Sequence, residues 1–336
     1  MSLSAMRQFA LALLLPACAW AEPFSFRDND RVAFVGNTVV ERAQRFGQLE
    51  SLISVAAGPE TNGLTFRNFG WSGDSVFGDA RAYFGKPQEG RERLQRVVGE
   101  FKPTVLIVCY GTNAAMTSER GWTDDAAGAE RSQAGHDEGL RLFLEQYGTL
   151  LDLMKESAGE GLREVVLVSP PPLENLEPPL PDQTANNERL AQYRDGIRQL
   201  AKDRNHTFVD LFGAMGGDSF DGKVTKSPLT TNGVHYAEAG YQVMGEELAR
   251  GLGLALPENF ENESPAMQEL RSLVMGKNRL FFHRWRPVNE TYLFLFRKHE
   301  QGQNAKEIPM FDPLIEEEEK KIEAARSSVF GSLKRN

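Results

Sequence analysis

From about residue 31 the chain alternates short β-branched runs with longer amphipathic stretches. Arg31-Val32-Ala33-Phe34-Val35 reads as a strand. The stretch from Val40 to Ala56, with Val40, Ala43, Phe46, Leu49 and Ile53 at helical spacing, reads as a helix. Leu64-Thr65-Phe66-Arg67-Asn68 predicts a second strand and residues 90–101 a helix. The run from Thr104 to Tyr110 is almost uninterruptedly apolar, as expected of a central parallel strand covered on both faces. A helix over 140–156, a strand over 164–169 stopped by Pro170-Pro171-Pro172, a helix over 187–204, a short strand over 206–210 and a helix over 237–252 complete the series. Strand then helix, repeated about five times, predicts an α/β fold built on a doubly wound parallel sheet. In such sheets the chemistry lies in loops beyond the carboxyl ends of the strands.

After Pro257 the character changes. Residues 278–299 are crowded with aromatic and basic side chains, and Tyr292, Phe294 and Phe296 alternate as a strand face would. These residues are expected to pack on the main domain. A sharper reading has Arg284, Trp285, Arg286 or His299 leaning over the site to bind a sugar or an anionic group, because Trp and Arg are frequent anchors of binding surfaces. Glu316 to Lys321 opens a charged helix with a solvated face. The expected organisation is therefore a leader over 1–21, a main domain over 28–256 and a C-terminal aromatic and basic extension over 257–336.

The first residues read as a targeting segment. Arg7 precedes the apolar run Phe9 to Leu15, and Ala19-Trp20-Ala21 gives the small-x-small pattern of a secretory signal peptide cut after Ala21. A rival reading takes Leu15-Pro16-Ala17-Cys18 as a lipoprotein signal with Cys18 lipidated, although Pro16 fits that motif poorly. Either way the protein is expected to be exported, to a periplasmic or extracellular setting. After a cut at Ala21 only Cys109 remains, and its apolar surroundings mark it as an inert core thiol. The net charge of −9, from 38 basic and 47 acidic side chains, argues against nucleic acid or an anionic membrane as the main partner.

Four strand-end loops hold polar residues in a telling order: Val35-Gly36-Asn37-Thr38, Asn68 to Asp74, Tyr110-Gly111-Thr112-Asn113, and Thr231-Asn232-Gly233-Val234-His235-Tyr236. Together they resemble the SGNH (GDSL-type) hydrolase family over roughly residues 31–256. The resemblance implies a flavodoxin-like sheet, hydrolysis of carboxylic esters (O-acyl groups of carbohydrates among them) through an acyl-enzyme, and no cofactor. It sets Thr38 at the nucleophile position and His235 at the catalytic histidine. Asn232 takes the place of the triad aspartate, and Gly73, Asn113 and the Thr38 N–H take those of the oxyanion donors. The Gly73-Asp74-Ser75 sequence is then the second block of the pattern and not the nucleophile turn.

The chemistry agrees in part. Gly73 allows close approach of backbone to substrate, and Asn113 offers a neutral side-chain donor. Thr38 keeps a hydroxyl but adds a methyl, and an N-cap is its rival role. Asn232 is expected to orient His235 through its side-chain oxygen without the charge of an aspartate; the corresponding change in a serine protease triad costs ~10⁴ in kcat. Ser72 and Ser75 are fallback nucleophiles, Asp74 and Asp210 are expected to be structural, and no His/Asp/Glu spacing recommends a metal site. Two alternatives stand beside the hydrolase: a pseudoenzyme that binds acylated glycans, and an envelope scaffold.

Overall fold

The computed structural model describes residues 24–116, 133–219 and 228–333. The expected leader, its expected cut after Ala21 and Cys18 lie outside these residues. Five parallel strands, β1 (Arg31–Gly36), β2 (Thr65–Asn68), β3 (Val105–Cys109), β4 (Glu164–Val168) and β5 (Thr207–Val209), form one sheet in the order β2-β1-β3-β4-β5. The strand order reverses between β1 and β3. Their carboxyl ends therefore open the crevice where doubly wound sheets bind ligands.

The helices are α1 (Thr38–Ala43), α2 (Gln48–Ala56), α3 (Pro87–Phe101), α4 (Thr112–Met116), α5 (Gln133–Ala158), α6 (Thr184–Asp203), α7 (Leu211–Ala214), α8 (Glu238–Gly251), α9 (Pro265–Trp285), α10 (Glu290–Leu293), α11 (Lys298–Gln301) and α12 (Phe311–Leu333). Alternate residues of β3 feed opposite cores, as the pleat requires. Leu106 and Val108 face a cluster that includes Leu94 of α3, Leu151 of α5 and Ile197 of α6. Val105, Ile107 and Cys109 face one that includes Ile53 of α2 and Met244 of α8. Burial pushes the Cys109 thiol up to about 12, so it stays protonated in that core. No helix among the described residues is long and apolar enough to cross a membrane.

Two sequence expectations need correction. The helix expected over 40–56 is split into α1 and α2 by a turn ending at Gly47, whose φ of 67° is in the left-handed region. Apolar spacing runs on across the turn, so periodicity alone hides the break. Tyr292, Phe294 and Phe296 do not form a strand. The N–H groups of Tyr292 and Leu293 both donate to the Asn289 carbonyl, making a helical turn, while Phe294 and Phe296 are exposed. The buried Glu290 fixes that turn by pairing with Arg93 and accepting from the Tyr83 hydroxyl.

Helices α9 and α12 cover α2 from outside. Leu52 and Val55 of α2 join Met267, Leu270 and Val274 of α9 and Ile322, Ala325 and Val329 of α12 in a third apolar cluster. All nine residues of α2 are buried, Glu50 among them. Lys277 of α9 reaches in with its Nζ 2.7 Å from Glu50 Oε1 and donates to the Phe66 carbonyl of β2 at 3.0 Å. Burial pushes the Glu50 carboxyl up and the Lys277 ammonium down, and each charge opposes the shift of the other. Removing one partner from such a pair typically costs about 3–5 kcal/mol, because the other charge stays buried alone. Urea unfolding of Lys277→Met should show a loss of about that size, and the double change Glu50→Met with Lys277→Met should recover most of it. A loss near zero in the single variant would contradict a charged pair.

Candidate active site

The site is assembled from four loops at the carboxyl edge of the sheet. Asn37, not Thr38, caps α1, its Oδ1 accepting the Val39 N–H at 3.3 Å. This leaves the Thr38 hydroxyl free of the capping role. Its Oγ1 instead accepts the Gly73 N–H at 3.0 Å, which joins the first and second loops. Gly73 has φ 78°, a conformation that side-chain-bearing residues rarely adopt.

The second loop is fixed from both sides. Ser72 donates its N–H and its hydroxyl to the Glu41 carboxylate, each at 2.7 Å. Burial opposes the charge on Glu41, but the Ser72 hydrogen bonds and the Arg286 guanidinium outweigh it and hold the carboxyl below its usual range. On the inner side, Asp74 is fully buried and accepts from Arg81 Nε at 2.6 Å and from the Tyr110 hydroxyl at 2.8 Å. Asn113, in the first turn of α4, donates from Nδ2 to the Asp74 carbonyl at 3.3 Å, linking the second and third loops. Ser75 donates to Asp79 and accepts from the Phe77 N–H, the part of a turn residue. Asp210 caps α7 by accepting the Gly213 N–H at 2.8 Å.

The histidine loop rests on a residue that sequence patterning did not single out. The buried Glu174 carboxylate accepts the N–H groups of Leu229 at 2.8 Å and Thr230 at 2.6 Å. Its own N–H donates to the Gly233 carbonyl at 2.9 Å. Beyond that anchor, Asn232 Oδ1 accepts the N–H of Val234 at 3.2 Å and that of His235 at 2.8 Å. Two backbone donors at Oδ1 decide which way the carboxamide faces. Its NH₂ therefore meets His235 Nδ1, at 3.1 Å. The expectation that Asn232 orients the ring through its oxygen is thus corrected: the oxygen is already held by the backbone. An amide NH₂ can only donate, so Nδ1 is an acceptor and the neutral ring carries its proton on Nε2. Partial burial, then Arg42 and then Arg45, lower the His235 pKa below its ordinary value. A donor facing Nδ1 acts in the same direction.

Thr38, Asn113 and His235 line one cavity of about 190 Å³. Gly73 and Asn232 are not in its wall and reach it through their hydrogen bonds to Thr38 and His235. Asn37, Arg42, Thr112, Tyr236 and Tyr241 complete the polar lining, and of these Arg42 and Tyr241 lie outside the four loops that the sequence brought forward. Arg42 had a signal, since it stands four residues after Thr38 and so on the same helix face.

The four tail residues expected over the site do not line this cavity. Arg284 pairs with Asp312 at 2.7 Å. Trp285 packs edge-on against Phe69 and Trp71. Arg286 is held by Glu41 and lies 3.6 Å from the Trp71 ring centroid. His299 is exposed beside Glu300. Intramolecular partners consume two of these cations, Arg286 behind the second loop and Arg284 against α12. Ser72 likewise spends its hydroxyl on Glu41.

One solved structure supports this fold, and two others align more loosely. Among solved structures, a gut microbial diltiazem-metabolizing enzyme is similar at TM-score 0.62, with 11% identity over 90% of this chain and 96% of the other. The acetylxylan esterase Axe2 from Geobacillus stearothermophilus aligns at TM-score 0.48 and 17% identity, over 70% of this chain and 100% of its own. The α/β-hydrolase LAE5, from the metagenome of Lake Arreo in Spain, aligns at TM-score 0.47 and 20% identity, over 68% and 97%. No curated protein matches the sequence. Residues 54–243 match the model of the GDSL-like lipase/acylhydrolase family, a span that begins after Thr38 and takes in Gly73, Asn113, Asn232 and His235. With more than half of its 336 residues matched and the strand order of a doubly wound sheet, the chain belongs to the GDSL-like lipase/acylhydrolase family.

Proposed function

We propose that the chain is a carboxylic-ester hydrolase that works through an acyl-enzyme, with a turnover limited by the Asn232–His235 contact. The observation that carries this reading is the shared cavity of Thr38, Asn113 and His235, with Gly73 bonded to the Thr38 hydroxyl. Thr38 Oγ1 attacks the acyl carbonyl. The Gly73 N–H then transfers from Oγ1 to the developing oxyanion, joined by Asn113 Nδ2 and the Thr38 N–H. One such donor is typically worth ~10²–10³ in rate. His235 takes the Thr38 proton, gives it to the leaving alcohol, and then activates the water that releases the acid. No cofactor enters these steps. O-acylated carbohydrates are the substrates that the family resemblance brings forward.

The limit arises at the proton transfer. Nε2 can accept the Thr38 proton only in the tautomer with the proton on Nδ1, which the Asn232 NH₂ opposes. Turning the carboxamide to present Oδ1 would give up two backbone hydrogen bonds, each worth about 0.5–1.5 kcal/mol. The imidazolium formed in the reaction also lacks a carboxylate beside it. The same contact favours a second reading, a site that binds esters without turning them over.

Hydrolysis of p-nitrophenyl acetate separates the two. The wild type should be slow but measurable, Thr38→Ala and His235→Ala silent, and Asn232→Asp faster in kcat by ~10² or more, toward the ~10⁴ lost by the reverse change in a serine protease. A silent wild type with an active Thr38→Ser, Asn232→Asp double variant would establish binding without turnover. A silent double variant would end the hydrolase reading.

The pH profile gives an independent check. Because burial and the two arginines lower the His235 pKa, the ring stays neutral, and the base available, as pH falls through 6.5. The acid limb of kcat/KM for this neutral ester should therefore lie below pH 6.5, and Arg42→Gln should move it upward. A limb at or above 6.5 in the wild type would contradict this placement of charge.

A further inference from the structure

Among the described residues Arg42 has no counter-ion. The residue lines the cavity, its Nε is buried without a hydrogen-bond partner, and no ion pair involves it among the described residues. A guanidinium that lines a cavity without a counter-charge is a ready partner for an anion entering that cavity. The neighbouring acid cannot serve, because Glu41 is committed to Ser72 and Arg286 behind the second loop. No aspartate or glutamate lines the cavity among the described residues. Arg45, exposed one turn further along, has no ion pair there either and adds to the positive field felt by His235. This concentration of unpaired positive charge stands out in a chain of net charge −9.

Position adds chemistry to charge. Arg42 follows Thr38 by four residues, so the two side chains share a face with Cβ atoms about 5–6 Å apart. A guanidinium presents a planar fork of donors suited to a carboxylate. We infer that Arg42 is a specificity residue that binds a negatively charged group of the substrate, so the preferred substrate is an anionic ester with a carboxylate near the reacting acyl carbon. This inference rests on the ester-hydrolase reading and narrows it. The carboxylate can belong to the alcohol portion, as in an O-acetylated hexuronic acid, or to the acyl portion, as in a succinyl ester.

The test is binding by calorimetry to the full-length Thr38→Ala variant, in which the ligand survives. Two matched pairs are compared: an O-acetylated methyl hexuronoside with its neutral hexoside counterpart, and monoethyl succinate with ethyl butyrate. The charged member of one pair should bind about tenfold tighter or more, as charge-assisted hydrogen bonds allow. That preference should shrink with added salt, disappear when Arg42→Gln is added, and persist in part with Arg42→Lys. The pair that shows it identifies the portion carrying the charge. Equal affinities within both pairs, binding by none of the four, or a preference that survives Arg42→Gln would overturn the inference. Turnover is scored separately in protein that retains Thr38, with and without Asn232→Asp. A charge preference without any hydrolysis would sink the hydrolase reading and leave Arg42 as an anion-binding residue.

Discussion

The proposed chemistry turns on two backbone N–H groups, those of Val234 and His235. By occupying Asn232 Oδ1 they turn the carboxamide so that its NH₂ faces His235 Nδ1. An aspartate in the same place could accept from the backbone and from Nδ1 together, because a carboxylate has acceptors on both oxygens. An asparagine must divide its ends, and in this loop the backbone holds the accepting one. One exchange of oxygen for NH₂ thus alters the tautomer of the ring, its proton affinity and, in the proposed mechanism, its ability to take the Thr38 proton. The rest of the loop makes relaxation costly, since Glu174 ties Leu229, Thr230 and Gly233 into a fixed turn.

The C-terminal helices bear on the same site from behind. Lys277 joins α9 to the buried Glu50 of α2 and to the β2 backbone. At the end of α9, Trp285 packs on Phe69 and Trp71, and Arg286 covers Trp71 while pairing with Glu41. Glu41 in turn holds Ser72, the residue before Gly73. The extension therefore acts on the second loop through contacts that never enter the cavity. Its aromatic and basic character reflects that packing: stacked rings and desolvated cations cover a sheet edge and the outer face of α2.

Much of this was legible in the sequence because strand-end chemistry is ordered by topology. The apolar run at 104–110 could only be a covered central strand, and the four polar loops followed in the order that such a sheet brings together. The break before Gly47 was not legible, since the apolar repeat continues across it. The alternation of Tyr292, Phe294 and Phe296 suggested a strand, but no strand partner is there among the described residues, and local carbonyls with the buried Glu290 favour a helical turn. Arg42 looked like one more polar helix residue; only the third dimension shows that its neighbour's charge is spent elsewhere. Glu174, after a run of prolines, gave no sign that two backbone donors from a loop 55 residues away would converge on it. The direction of the Asn232 carboxamide was beyond reach, because backbone groups decide it.

The most direct test is the protonation pattern of the His235 ring, read by long-range ¹⁵N–¹H correlation NMR on protein labelled at the imidazole nitrogens, near pH 8. The hydrogen bonding of Asn232 predicts a proton-bearing Nε2 and a bare, hydrogen-bond-accepting Nδ1, with the pattern reversed in Asn232→Asp. A wild-type ring protonated at Nδ1 would show that Asn232 presents its oxygen after all, and would remove the tautomeric barrier to turnover.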